Sequence, residues 1–425
     1  MIAVLVEAYS CEPGQGSEKG VGWNVIARLA GREGVALTVI TRGRNRKVVE
    51  MSAEDWVKRV AWLFVDPGEW LLTVKRGGGL GLRIYHWFWG KAALKAVRDD
   101  LGGQHFDLVH RLTFGSILPV SHLAQLGLPL VVGPAGGGEM TPVGLVPGLG
   151  YAAWARDRLR FGLFRLWLDL PSTRKGYEAC VVGLGATEAS VKVLRGLGCD
   201  HTRLVPQAGC GGDEVAAYVA WHPPTDAVPV GAVKLVCASR LIAWKGVDLA
   251  VEAVAVAVER GEDVELVILG TGPEMGNLRR LVRRRGLGER VFFPGRLAGL
   301  NDVFDLIRAS DALIHPALNE AFGQAVLESL ALGRQVLCLD WHGPGMIVKE
   351  DCGLKVFPGS REEVVEGFAR AIGQLRERRD QWAGIQKAAI TRSGEFSWER
   401  VAAEIAAAYE EAAEAKAGGE WGGYL

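Results

Sequence analysis

Short runs of Val, Ile and Leu alternate with longer stretches of helical spacing along nearly the whole chain. Uninterrupted apolar runs suit strands whose two faces are both covered, so the pattern predicts parallel sheets flanked by helices. In the first half, strands are expected at residues 2–6, 35–40, 61–65, 106–110, 130–133 and 181–184. The same grammar restarts at 233–239 and continues through 264–270, 291–293, 311–315, 335–339 and 354–357. The expected fold class is therefore α/β, with two Rossmann-like doubly wound domains facing each other across a cleft. Breaker-rich sequence at 207–230 is read as a linker between a domain at 1–206 and one at 231–395. Residues 396–425 read as a closing amphipathic helix that returns toward the first domain, followed by a mobile Gly-rich tail.

Ligands of such sheets bind beyond the carboxyl ends of the strands, so the loops there hold the candidate chemistry. The most informative is Leu313-Ile-His-Pro-Ala-Leu-Asn-Glu320-Ala-Phe-Gly-Gln-Ala-Val-Leu-Glu328. It runs from a buried strand into a helix starting near Gln324, so the first helical N–H groups beside Gly323 favour an anion such as a phosphate. Glu328 falls one turn further in, where a carboxylate can accept both hydroxyls of a ribose, and Glu320 stays in the loop to face a sugar. The competing reading makes both ordinary surface glutamates, against which the apolar neighbours Val326, Leu327, Leu330 and Leu332 place Glu328 at a crevice. After the first strand of the second domain, Ser239-Arg240-Leu-Ile-Ala-Trp-Lys245-Gly246 offers two cations able to reach one pyrophosphate. They can stabilise a leaving diphosphate in place of a metal, and no Asp-x-Asp pair occurs in the chain. Solvated side chains are the plain alternative for each. Gly270 and Gly272 form a tight turn after the next strand, and Arg296 with Leu297 follows exposed backbone suited to a base edge. In the first domain a Gly-rich loop spans Glu12 to Gly22, and His110 and the Gly136-Gly-Gly138-Glu139 loop both lie at strand carboxyl ends. His110 either meets a sugar hydroxyl or is a core histidine satisfied by internal polar groups.

Composition narrows the setting. At 425 residues, 49% hydrophobic, the chain can bury more than one core, and 49 basic residues against 49 acidic ones argue against a nucleic-acid surface. Seven scattered cysteines, never spaced Cys-x-x-Cys, suggest neither a disulfide framework nor a zinc site and fit a reducing cytoplasm. The start lacks a signal-peptide pattern, and no run approaches the ~18 apolar residues of a membrane span.

Taken together, Cys11-Glu-Pro-Gly-Gln-Gly-Ser-Glu-Lys-Gly-Val-Gly-Trp23, Gly133-Pro-Ala-Gly-Gly-Gly-Glu139, the Ser239 to Gly246 loop, Leu269-Gly-Thr-Gly-Pro-Glu274, the Glu320 to Glu328 turn and the closing Phe396-Ser-Trp-Glu-Arg resemble the retaining glycosyltransferases of family 4, which have the GT-B fold. The resemblance implies a metal-independent hexosyltransferase needing no cofactor, with a nucleoside-diphosphate sugar of UDP or GDP type as co-substrate. It implies donor contacts from Gly16, Arg240, Lys245, Gly270, Gly272, Arg296, Leu297, Glu320, Phe322, Gly323, Gln324, Ala325 and Glu328. Catalytic roles would fall to His110 near the reacting carbon and to Glu320, Arg240 and Lys245, with Glu18, Gly137, Gly138 and Glu139 on the acceptor side. The chain departs from the family pattern at Ala321, where glycine is common, at Gln324, where an apolar residue is, and at Gly343-Pro-Gly345-Met346, which lacks a frequent Glu. These departures bear on which donor is used.

Trp, Arg and Lys interleave in the stretches Leu82 to Lys91 and Tyr151 to Trp167, which suggests peripheral contact with the inner membrane surface and a glycan or lipid-linked acceptor. A helix packed between other elements accounts for the same residues. A nicotinamide-dependent oxidoreductase is disfavoured: the glycines at 14, 16 and 20 miss the dinucleotide spacing, and the second strand ends Thr41-Arg42 with no acidic ribose ligand. A sugar-nucleotide epimerase of the same fold, or a non-catalytic nucleotide-sugar-binding protein, remains as the alternative.

Overall fold

The computed structural model describes residues 1–13, 18–68, 70–75, 79–145, 151–210, 213–222 and 228–418. Seven parallel strands form the first sheet: β1 Ile2–Glu7, β2 Val35–Arg42, β3 Ala61–Val65, β4 Leu108–Arg111, β5 Leu130–Ala135, β6 Cys180–Gly185 and β7 His201–Leu204, in the order β3-β2-β1-β4-β5-β6-β7. Six more form the second: β8 Val233–Ala238, β9 Val264–Leu269, β10 Val291–Gly295, β11 Ala312–His315, β12 Gln335–Leu339 and β13 Gly353–Val356, in the order β10-β9-β8-β11-β12-β13. Both orders reverse direction once, between β1 and β4 and between β8 and β11, which is the doubly wound Rossmann arrangement. The α/β class read from the apolar runs is the class observed.

Each sheet has its own core. In the first, Leu5, Ile40, Val109 and Val132 pack with Tyr85, Trp89 and Val97 of the helix Gly79–Asp100. In the second, Leu235, Leu266, Ile314 and Leu337 pack against Val251 and Val254 of the helix Val247–Glu259 and Phe368 and Ile372 of the helix Arg361–Glu377. Withdrawing these side chains from water, at about 25 cal/mol per Å² of apolar surface, is the main favourable term in each core.

The chain divides into two compact units: residues 1–138, 162–209 and 398–425, and residues 139–161 and 210–397. This division differs from the limits expected from sequence. Leu145 sits in the second core, and Asn319 Nδ2 donates to the Glu139 carbonyl at 2.9 Å, so 139–161 group with the second sheet. The closing helix Trp398–Gly418 groups with the first, burying Val401, Ile405, Ala408 and Tyr409.

Two elements were not expected. The strand β7 has the polar sequence His-Thr-Arg-Leu and pairs only with β6, as an edge strand whose outer positions stay exposed. The helix Asp213–Trp221 lies inside the supposed linker, where Tyr218 stacks edge-on against Phe304 with ring centroids 5.2 Å apart. Of the expected mobile tail at 418–425, Gly418 ends the closing helix and residues 419–425 lie outside the described residues.

Candidate functional site

The reversal between β8 and β11 brings together the two most informative loops. Ser239 to Gly246 follows β8, Pro316 to Gly323 follows β11, and Leu318 N donates to the Trp244 carbonyl at 2.9 Å. Glycine makes the approach possible: at Gly246, φ +62°, a Cβ would stand 2.3 Å from the Pro316 carbonyl oxygen. Across this junction Lys245 Nζ forms an ion pair with Glu320 Oε2. Their side chains are 12% and 22% exposed, so the pair is largely withdrawn from water. Burial and the neighbouring Arg240 cation pull the Lys245 ammonium down to about 8, while Cys237 acts in the opposite sense. Arg240 itself is exposed.

The glycines of the next loop serve packing. At Gly270, φ +114°, a Cβ would lie 2.0 Å from the Ser239 carbonyl, and at Gly272 one would lie 2.2 Å from that of Leu241. Both let the β9 loop lie flat on the backbone that holds Arg240. Gly270 N also donates to the Gly295 carbonyl at 2.9 Å, which sets the exposed Arg296 and half-buried Leu297 beside the same junction.

The helix Gln324–Ala331 starts at Gly323, whose φ of 97° and ψ of 64° are left-handed. Its first-turn N–H groups therefore open at the loop holding Glu320. Gln324 and Ala325 are half-buried there, and Glu328 is half-buried one turn on. Phe322 is buried, stacked edge-on with Phe396 at 6.0 Å between centroids, and anchors the turn from beneath. The loop after β12 closes on it, with Gly343 N donating to the Glu320 carbonyl at 3.2 Å.

In the first unit His110 does not take the place expected for it. It is fully buried, Nε2 meets the Gly133 carbonyl at 2.6 Å and Nδ1 meets the Tyr409 hydroxyl at 2.6 Å. A carbonyl can only accept, so Nε2 carries the hydrogen and Nδ1 accepts from the tyrosine. Burial pulls the ring down to about 4, so it is neutral at pH 7 with both nitrogens engaged. The reading as a core histidine holds, because the closing helix covers the strand end with Tyr409. Glu18 begins the helix Glu18–Ala30, and its Oε1 accepts the Gly115 N–H. Burial raises this carboxyl, and backbone donors at Gly115 and Phe114 oppose the rise. Gly138, φ +90°, approaches Val193, where a Cβ would stand 2.9 Å from Cγ2, and Gly137 presses on Ile117 in the same way. Glu139 is half-buried and belongs to the second unit. Gly16 lies outside the described residues.

Sequence reasoning missed His315, which is 3% exposed with Nε2 3.6 Å from Glu320 Oε2. It also missed Trp341 and His342: Trp341 Nε1 donates to the Met140 carbonyl at 2.8 Å, and His342 Nε2 lies 3.1 Å from the Met140 backbone. A histidine closing the strand ahead of Glu320 was the available signal for the first; nothing local pointed to the others. Among the described residues, no group of three or more His, Cys, Asp or Glu could hold a metal, and no helix is long and apolar enough to cross a membrane.

Two parallel Rossmann-like sheets of this order define the GT-B class, and solved structures bear that out. Sucrose-phosphate synthase from Thermosynechococcus elongatus aligns with a TM-score of 0.65 at 16% identity, covering 97% of this chain and 99% of that one. Anabaena HepE in complex with UDP aligns at 0.57 and 16% identity, covering 96% and 100%. Within that class, residues 226–387 match the family model of glycosyl transferases group 1. A GDP-mannose-dependent alpha-(1-6)-phosphatidylinositol dimannoside mannosyltransferase of Mycobacterium tuberculosis is 30% identical over 224 residues, 53% of this chain and 52% of its own length. The chain thus spans about half the length of the curated relatives it matches.

Proposed function

We propose that the protein is a retaining, metal-independent glycosyltransferase that moves a hexose from a UDP or GDP sugar to a glycan or lipid-linked acceptor in cell-surface polysaccharide or glycoconjugate synthesis. The observation that carries this reading is the Lys245 and Glu320 pair across the β8/β11 reversal, with Arg240 in one flanking loop and a helix start in the other. An anionic leaving group needs fixed positive charge that strengthens as the glycosidic bond breaks. Arg240, Lys245 and the N–H groups of Gln324 and Ala325 supply it, Glu328 takes the ribose and Glu320 the sugar hydroxyls. Gly270, Gly272, Arg296 and Leu297 frame the base, and Glu18, Gly137, Gly138 and Glu139 belong to the acceptor side. His110 holds the Gly133 end of the acceptor loop and performs no proton transfer.

A lipid-linked acceptor accords with one surface. On the helix Tyr151–Leu168 and the turn after it, Leu159, Leu163, Leu166 and Leu170 are all exposed and recur at three- and four-residue steps. Arg156 and Arg160 flank this stripe on one side and Arg158 and Arg165 on the other, the layout of a helix lying at an anionic bilayer surface.

Incubation with UDP-, GDP- and ADP-hexoses, read by thermal shift and by release of nucleoside diphosphate without added nicotinamide cofactor, tests the reading. A ligand that binds only the folded state raises its melting temperature. No shift with any donor overturns the proposal, and a shift without turnover favours a binding protein.

A further inference from the structure

The proposed chemistry leaves one buried group idle. His315 closes β11, is 3% exposed, and its Nε2 has no hydrogen-bond partner among the described residues. Buried polar atoms in folded proteins nearly always have one, so an orphan ring nitrogen at a strand's carboxyl end calls for a reason. The acidic oxygen facing it is Glu320 Oε2, 3.6 Å away, just outside hydrogen-bond reach. The same oxygen is held by the Lys245 ammonium. One carboxylate oxygen thus stands between a cation that binds it now and an imidazole that stops short of it. Burial and the Lys245 charge keep the ring neutral, down to about 3, so it has a single N–H to offer. A lone pair aimed at a carboxylate is repelled, which favours the tautomer with its hydrogen on Nε2.

We propose that His315 is a positioning residue, which takes hold of Glu320 when Lys245 turns from it to the donor diphosphate and so fixes the carboxylate toward the sugar hydroxyls. This rests on the function proposed above. A diphosphate offers Lys245 more negative charge than one carboxylate does, and a released Glu320 would be free to swing. Closing 3.6 Å to an ordinary N–H···O separation near ~2.9 Å takes a shift of under about 1 Å. One carboxylate oxygen is then held by the ring and the other accepts from the sugar. Because the holder is neutral, the carboxylate keeps its full charge as an acceptor.

The test isolates the sugar's own contribution as the ratio of Kd for a nucleoside diphosphate to Kd for its sugar, by calorimetry, with UDP and UDP-glucose, GDP and GDP-mannose, and ADP and ADP-glucose as probes. His315→Leu is expected to cut that ratio about tenfold, the size of one hydrogen bond to a charged group, with the diphosphate Kd within about twofold of wild type. His315→Gln, whose amide nitrogen reaches the place of Nε2, should restore it. In a Glu320→Gln background, His315→Leu should cost nothing further. If the Leu variant does not fold, His315→Asn, too short to reach Glu320, has the same expected loss. Equal losses in both backgrounds, or a Gln variant no better than Leu, overturn the role of His315 while leaving the donor site standing. Wild-type protein that binds none of the six probes overturns the proposed function, and this inference with it.

Discussion

Raising the pH past 8 should loosen the grip on a nucleoside diphosphate while the fold itself stays intact. Lys245 is pulled from its ordinary 10.5 to about 8 by burial and by Arg240, so its charge is half gone at pH 8. If binding needs the ammonium, the apparent Kd scales as one plus ten raised to the difference between pH and pKa, giving about a twofold loss at pH 8 and about tenfold at pH 9. The diphosphate's own ionisation, near pH ~6, is complete by then. Stability moves the other way. A lysine with a depressed folded-state pKa leaves the unfolded chain binding more protons between about 8 and 10.5, so its contribution rises with pH across that window and unfolding cannot mimic the loss. Calorimetric titration of UDP and GDP at pH 7, 8 and 9 reads the effect directly. Lys245→Arg, charged throughout, should give a flat profile, and Glu320→Gln should bring the onset to lower pH by removing an anion paired with the ammonium. A wild-type Kd constant from pH 7 to 9 would refute the assignment of Lys245 to the diphosphate.

Other expectations follow from neighbouring contacts. Tyr409→Phe strips His110 Nδ1 of its hydroxyl donor in a fully buried site, so urea unfolding should show a loss of about 1–3 kcal/mol with diphosphate affinity unchanged; an unaltered midpoint would contradict the bond. Gly270→Ala would place a methyl 2.0 Å from the Ser239 carbonyl at a left-handed φ, and should cost about 2 kcal/mol or more and weaken diphosphate binding by displacing Arg240. A stable variant of full affinity would show that the two loops are not packed as described. Leu163→Asp combined with Leu166→Asp should abolish flotation with anionic vesicles at low salt, and equal flotation of wild type and variant would remove the leucine stripe from any membrane role.

The parallel sheets were legible because buried strands leave a dense signature: Leu266, Leu313 and Val336 each stand in runs that only a doubly covered sheet explains. The edge strand β7 left none, since its sequence is largely polar, His201 and Arg203 pair with Glu411 of the closing helix, and a single neighbouring strand holds it. The loops around Arg240, Lys245 and Glu320 were readable for a similar reason: strand ends are predictable, and the Rossmann order then dictates which ends meet. What local pattern could not convey was competition for a side chain from distant sequence. His110 looked available at a strand end until Tyr409, 299 residues later, proved to occupy its second nitrogen. Likewise the tight turn at Gly270 and Gly272 was legible, but not that the backbone of the Arg240 loop fills the space these glycines leave.

The chain passes from one unit to the other after residues 138, 161, 209 and 397. Domain swapping between paralogues is usually imagined as one cut and one splice. A hybrid joined only near residue 209 would inherit a foreign final helix, and with it a different residue opposite His110, in a hole shaped for Tyr409 and Ile405. Recombination that trades donor preference must therefore carry the terminal helix along with the first sheet, or accept mismatched packing, which gives this short C-terminal stretch a say in which ancestral lobes can be reassorted at all.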